Sequence, residues 1–188
     1  MLDLSKINKD WTLFLDRDGV INVEKDPYIL TKEEFEFYDG ALEAIKKLSG
    51  IFKYVFVATN QRGVGRKLMT EEALLAIHEK MIKEVSKAGG KIDKIYFNAA
   101  TENTDPTRKP NPGMAIKALK EYPDVIAKHT IMIGNNLSDM KFGRNAGFHA
   151  VLLTTTGTDI ILPDPIADLK YRSLIEFAND LQKAISVI

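Results

Sequence analysis

The sequence predicts an α/β fold: a doubly wound, mainly parallel sheet with helices on both faces, a three-layer α/β/α arrangement. Short β-rich runs alternate with segments of helical period. Two of the runs, Tyr54-Val55-Phe56-Val57-Ala58 and Thr130-Ile131-Met132-Ile133-Gly134, are apolar with no polar alternate face, as in strands covered on both sides. Several runs also end abruptly in polar clusters, at the carboxyl ends of strands where open sheets of this kind place their ligands.

Taken in order, strands are expected at 11–16, 53–59, 92–98, 130–134, 149–154 and 167–171, and helices at 40–49, 70–88, 112–121, 137–146 and 173–186. The first strand is the apolar run Trp11-Thr12-Leu13-Phe14-Leu15. The runs at 53–59 and 130–134 are the central-strand candidates. In the 70–88 helix, Thr70 caps a stripe of Ala73, Leu74, Ile77, Met81 and Val85 that ends near Gly89-Gly90. Pro110 and Pro112 stiffen the approach to the 112–121 helix. Residues 156–166, with Pro163 and Pro165, read as a connection to the last strand and helix, without chemistry of their own.

A chain of 188 residues with no Pro/Gly/Ser-rich linker reads as a single domain, 1–188. Lys+Arg equals Asp+Glu at 26 each, which removes the generic electrostatic case for nucleic acid or an anionic membrane. The absence of cysteine excludes disulfides and thiolate zinc sites. With no long apolar stretch or signal-peptide pattern, a soluble cytoplasmic protein is the default expectation.

Asp16-Arg17-Asp18-Gly19 leaves the end of the first strand. In extended backbone alternate side chains share a face, so Asp16 and Asp18 can address one pocket, where their repulsion calls for a cation. The plainer alternative is a strand ending in a polar turn made by Gly19. The second strand exits into Thr59-Asn60-Gln61-Arg62-Gly63 and the fourth into Gly134-Asn135-Asn136-Leu137-Ser138-Asp139, with Arg108-Lys109-Pro110 between them. Together these form a kit for attack on a phosphoryl group. Asp16 can act as nucleophile and Asp18 as acid and then base. Magnesium would offset repulsion between an anionic nucleophile and an anionic ester. The Thr59 hydroxyl and backbone N–H groups around Asn60 are phosphate donors, and Lys109 adds positive charge.

Taken singly, each residue has a structural explanation. Thr59-Asn60 can be a turn or cap, Lys109 a solvated side chain, and Asp139 a favourable charge at a helix start. His78 reads as scaffold within its amphipathic helix, and the three histidines do not have metal-site spacing. Met69, Met81, Met114, Met132 and Met140 read as core fillers.

The four clusters, Asp16 to Asn22, Thr59 to Gln61, Arg108 to Met114 and Gly134 to Asp139, resemble in order the four motifs of the haloacid dehalogenase-like phosphatases. Within them, the resemblance is to the heptose 1,7-bisphosphate and histidinol-phosphate phosphatase branch, over roughly residues 10–155. The resemblance implies Asp16 as nucleophile, Asp18 as acid/base, and Thr59 and Lys109 as phosphate ligands. It places magnesium on Asp16 and the Asp18 backbone carbonyl, with Asn135 and Asp139 nearby, and it puts Asn60, Gln61, Arg66 and Arg108 toward the substrate. It also implies a short flap at 19–38 rather than a large cap domain, a small-molecule phosphate ester as substrate, and a monomer. Two departures stand out. The fourth motif usually begins Gly-Asp, whereas here that position is Asn135, which brings no charge to the metal. The segment Asn98 to Thr107 lacks the Cys/His zinc loop of close relatives, so no zinc is expected.

Three readings follow. The first is a magnesium-dependent phosphatase for a sugar phosphate such as heptose bisphosphate, with histidinol phosphate as the related alternative. The second is a polynucleotide 3′-phosphatase, from the loop Thr59 to Arg66, which the zero net charge disfavours. The third is a weakened fold that binds phosphorylated ligands without turnover, from Asn135.

Overall fold

Thr12-Leu13-Phe14-Leu15 is buried at every position, so this strand lies inside the molecule with both faces covered. The computed structural model describes residues 2–186. Its strands are β1 (Thr12–Leu15), β2 (Tyr54–Asn60), β3 (Lys94–Asn98), β4 (Thr130–Gly134), β5 (His149–Leu153) and β6 (Leu169–Tyr171). Its helices are α1 (Ala41–Ile51), α2 (Arg62–Gly65), α3 (Glu71–Lys87), α4 (Gly113–Glu121), α5 (Leu137–Asn145) and α6 (Leu174–Ser186). The strands form one six-stranded sheet in the order β3-β2-β1-β4-β5-β6, and every neighbouring pair is parallel.

The period of two in the strands sorts their side chains into two layers. Leu13, Leu15, Val55, Val57, Ile131 and Ile133 pack with Ile45 and Leu48 of α1, Leu74, Ile77 and Met81 of α3, and Phe177 and Leu181 of α6. Phe14, Phe56 and Met132 point the other way, onto Met114, Ala115 and Ala118 of α4 and Phe142 of α5. Phe14 anchors that second layer, with the rings of Phe56 and Phe148 each 5.2 Å from its own, close enough for favourable aromatic contact. The five methionines read as core fillers are all buried.

Thr70 accepts a hydrogen bond from Ala73 N (3.2 Å), the N-cap that its position promised for α3. Differences from the sequence reading are confined to element ends and to three short elements, the 3-10 turns Leu4–Lys6 and Ala127–His129 and the helix α2. α1 runs on to Ile51, because that side chain still reaches the core. The four-residue α2 has two glycines and no apolar period to announce it. The 19–38 segment contains no named helix or strand; Ile21, Ile29 and Phe35 pin it to the core as a loop, and there is no inserted cap domain. Among the described residues no helix is long and apolar enough to cross a membrane.

The chain runs outward from β1 through β2 to β3, then returns to lay β4 on the other side of β1. That reversal is the topological switch point, and the carboxyl ends of β1, β2 and β4 open beside one another there. Asp16 N continues the pairing by donating to Ile133 O (2.9 Å), which fixes the first residue beyond β1 against the end of β4.

Candidate active site

A polar cleft at the switch point is lined by residues from all the clusters, including Asp16, Asp18, Thr59, Asn60, Gln61, Arg108, Lys109 and Asp139. Its centre is the Lys109 ammonium. Lys109 Nζ lies 2.8 Å from Asp16 Oδ1 and 2.7 Å from Asp139 Oδ1, and it donates to Ala58 O at 2.7 Å. All three side chains are almost wholly buried. Lys109 is held there because the Asn60 side chain bridges its backbone: Asn60 Oδ1 accepts from Lys109 N and Asn60 Nδ2 donates to Lys109 O, both at 3.0 Å. The Asn60 side chain is thus taken up in holding Lys109, while the residue itself lines the cleft.

Asp16 Oδ1 also accepts from Arg17 N (2.8 Å), so its two protein contacts fall on one oxygen and Oδ2 has none among the described residues. Asp18 lines the cleft and is held by three side chains. The buried Arg17 guanidinium grips its carboxylate at 2.9 and 3.0 Å, Asn22 Nδ2 donates at 3.0 Å and Gln61 Nε2 at 2.9 Å. The same Gln61 Nε2 donates to Thr59 Oγ1 (2.8 Å), joining the hydroxyl of β2 to the second aspartate. Behind Arg17, His78 Nε2 of α3 lies 3.4 Å from Nη1.

At the β4 exit Asp139 has two tasks. Its Oδ2 accepts from Asn136 N (3.0 Å), capping α5, while Oδ1 meets Lys109. A side chain at Gly134 would bring a Cβ within 2.2 Å of Asp139, so glycine there is a condition of the close approach. Gly19 has φ +79° and lies under Asn135, where an added Cβ would fall 2.0 Å from Nδ2. Asn135 is fully buried, and Nδ2 donates to Thr156 Oγ1 (2.7 Å) and to Glu24 Oε2 (3.2 Å).

These contacts set the charges. Burial, reinforced by Asp139 and Asp18, raises the Asp16 carboxyl to about 7 despite the opposing Lys109 ammonium. Burial pushes Asp18 upward as well, but the Arg17 charge and the hydrogen bonds of Asn22, Arg17 and Gln61 outweigh it and leave it below its ordinary value. For Lys109, burial favours the neutral amine, yet Asp139 and Asp16 prevail and raise it. The site holds a firm cation between two carboxylates and a separate, firmly ionised Asp18.

Among the described residues no three histidine, aspartate or glutamate side chains converge into a self-sufficient metal cage. Magnesium does not need one, since it commonly takes one or two carboxylates and completes its shell with water and substrate oxygens. The donor set fits on charge grounds: the buried Asp16 and Asp139 carboxylates share one ammonium, and a third carboxylate, Asp18, lines the same cleft. Asp16 and the Asp18 backbone carbonyl are the residues that would hold the ion.

The remaining expected residues divide. Arg108 lines the cleft, whereas Arg66 stands outside it, donating to the Tyr28 hydroxyl (3.0 Å). Near them Arg62 Nη2 donates to Asn103 Oδ1 (2.7 Å), adding a third guanidinium to the rim. Burial, then the neighbouring charge of Arg62, lowers Arg108 from its usual range. The 98–107 loop is tied around Asp105, whose Oδ1 accepts from Asn98 Nδ2 (2.9 Å) and Thr107 N (2.8 Å). Sequence reasoning gave no role to Glu24, Arg17 and Arg62, read His78 as scaffold without its contact to Arg17, and took the connection after β5 to be inert although Thr156 holds Asn135. Arg17 alone carried a local signal, as a long cation between two acids.

A family model described as HAD-hydrolase-like matches residues 106–171. The D-glycero-alpha-D-manno-heptose-1,7-bisphosphate 7-phosphatase of Campylobacter jejuni is 42% identical over 145 residues, covering 77% of this chain and 83% of that protein. The D-glycero-beta-D-manno-heptose-1,7-bisphosphate 7-phosphatase of Helicobacter pylori is 37% identical, covering 74% and 81%. Among solved structures, the D,D-heptose 1,7-bisphosphate phosphatase of B. bronchiseptica, complexed with magnesium and phosphate, superposes with a TM-score of 0.82 at 29% identity, over 92% of this chain and 98% of that one.

Proposed function

We propose that this chain, which belongs to the haloacid dehalogenase-like phosphatases and is a phosphoric monoester hydrolase, removes one phosphate from a heptose 1,7-bisphosphate by way of an aspartyl-phosphate. The observation that carries the chemistry is the buried Asp16–Lys109–Asp139 arrangement, with 2.8 and 2.7 Å ion pairs on a single ammonium. Lys109 and Arg17 N occupy Oδ1 of Asp16, which leaves Oδ2 as the oxygen free to attack phosphorus. Lys109 sits where it can draw charge from the non-bridging oxygens, and the Thr59 hydroxyl, already accepting from Gln61, directs its own proton outward to the phosphate. Magnesium, when bound, neutralises the combined charge of nucleophile and ester.

As the P–O bond to the sugar breaks, Asp18 protonates the leaving oxygen; it then takes a proton from the water that attacks the phosphorus and releases Asp16. Its resting ion pair with Arg17 favours the carboxylate form, so donation requires Asp18 to turn from Arg17 toward the ester and to take up a proton from solvent, which the attacking water restores to it in the second step. The three guanidiniums of Arg62, Arg66 and Arg108 support a substrate with a second anionic group, because they gather at the rim beyond the first phosphate.

The test is phosphate release with magnesium from heptose 1,7-bisphosphate, histidinol phosphate and a 3′-phosphorylated oligonucleotide. The bisphosphate is expected to turn over fastest, and Asp16→Asn to abolish release with the fold intact. Preference for either other substrate overturns the assignment; undiminished turnover by the variant overturns the covalent route.

A further inference from the structure

A divalent cation beside Asp16 takes one or two carboxylates by preference, and most acids of the cleft are already committed. Asp139 is divided between Lys109 and the start of α5, and Asp18 is enclosed by Arg17, Asn22 and Gln61. Asn135 is neutral. Glu24, on the 19–38 loop, remains. It lines the same cleft, and no basic side chain pairs with it among the described residues, its neighbour Lys25 being joined to Glu34 at 2.6 Å.

We propose that Glu24, hydrogen-bonded to the buried amide of Asn135, supplies the second carboxylate charge for the divalent cation at Asp16, so that metal affinity depends on the loop as well as on the strand ends. The inference rests on the magnesium-dependent reading above. The Asn135 amide has two N–H groups, and both are placed: one on Glu24 Oε2 (3.2 Å) and one on Thr156 Oγ1 (2.7 Å). With Gly19 closing one side, this fully buried amide has little freedom and acts as a fixed post for the glutamate. An aspartate in its place would face Glu24 with like charge, so the amide is the side chain that lets an acid from the loop stand here.

The test is magnesium titration by calorimetry on the intact protein without substrate, for wild type, Glu24→Gln and the double variant Glu24→Gln/Asn135→Asp. Glu24→Gln keeps size and hydrogen bonding at an exposed position, so its unfolding midpoint should match wild type. Its magnesium affinity should fall about 10-fold or more. The double variant, which returns a carboxylate to the post itself, should recover most of that loss. Magnesium affinity within about twofold of wild type in Glu24→Gln overturns the inference while leaving the magnesium reading in place. A wild-type protein that takes up no magnesium overturns both.

Discussion

Asp18 is held by a chain of buried groups that begins on a helix remote in sequence. Arg17 is only 1% exposed and spans Asp18 and His78, so the imidazole acts as the far wall behind Asp18, the proposed acid/base. Burial, with the adjacent Arg17 charge, lowers His78 to about 3, against the weaker pull of Asp18. The folded protein therefore keeps this ring neutral while the unfolded chain protonates it near its ordinary value of about 6.5. In that window the unfolded state binds more protons, so stability is full above about pH 6.5 and falls as pH drops toward 3. Between pH 7 and 4.5 the ring should cost about 2–3 kcal/mol. His78→Gln, which cannot titrate, should show a shallower acid limb by that amount in urea unfolding; parallel limbs would contradict the assignment. Nothing near position 78 foretold this, because Arg17 lies 61 residues away.

The β4–α5 junction shows how an element boundary becomes part of the site. Gly134→Ala places its Cβ 2.2 Å from the Asp139 side chain, which must then leave both Lys109 and the cap of α5. Turnover should fall at least about tenfold and stability by about 1 kcal/mol. Gly50→Ala in α1 meets nothing within 4 Å and should instead stabilise by about 0.5–1 kcal/mol. Turnover assays and unfolding midpoints of the two variants check the contrast. Strands and long helices were readable because burial on two faces and a capped apolar stripe leave strong periodic marks. α2 was not, since four residues with two glycines have no period. The dual use of Asp139 was half readable: a cap and a site residue looked like alternatives, and the fold makes them one.

At the scale of the whole molecule, four polar clusters meet because an all-parallel sheet sends every strand the same way and the order reverses at β1 and β4. That convergence could be inferred from the alternation of strands and helices and from the polar strand exits alone. The partners of Asn135 could not, because Glu24 is 111 residues away and Thr156 lies on a connection without motif. Formal neutrality leaves the molecule without a net long-range field of either sign. Covalent capture at that cleft is the most direct test. In Asp18→Asn, where hydrolysis of the intermediate is slowed, brief reaction with heptose 1,7-bisphosphate and acid quench should leave a phosphoryl adduct, by peptide mass spectrometry, on Asp16. Rapid turnover with no adduct, or an adduct on another residue, would contradict the mechanism.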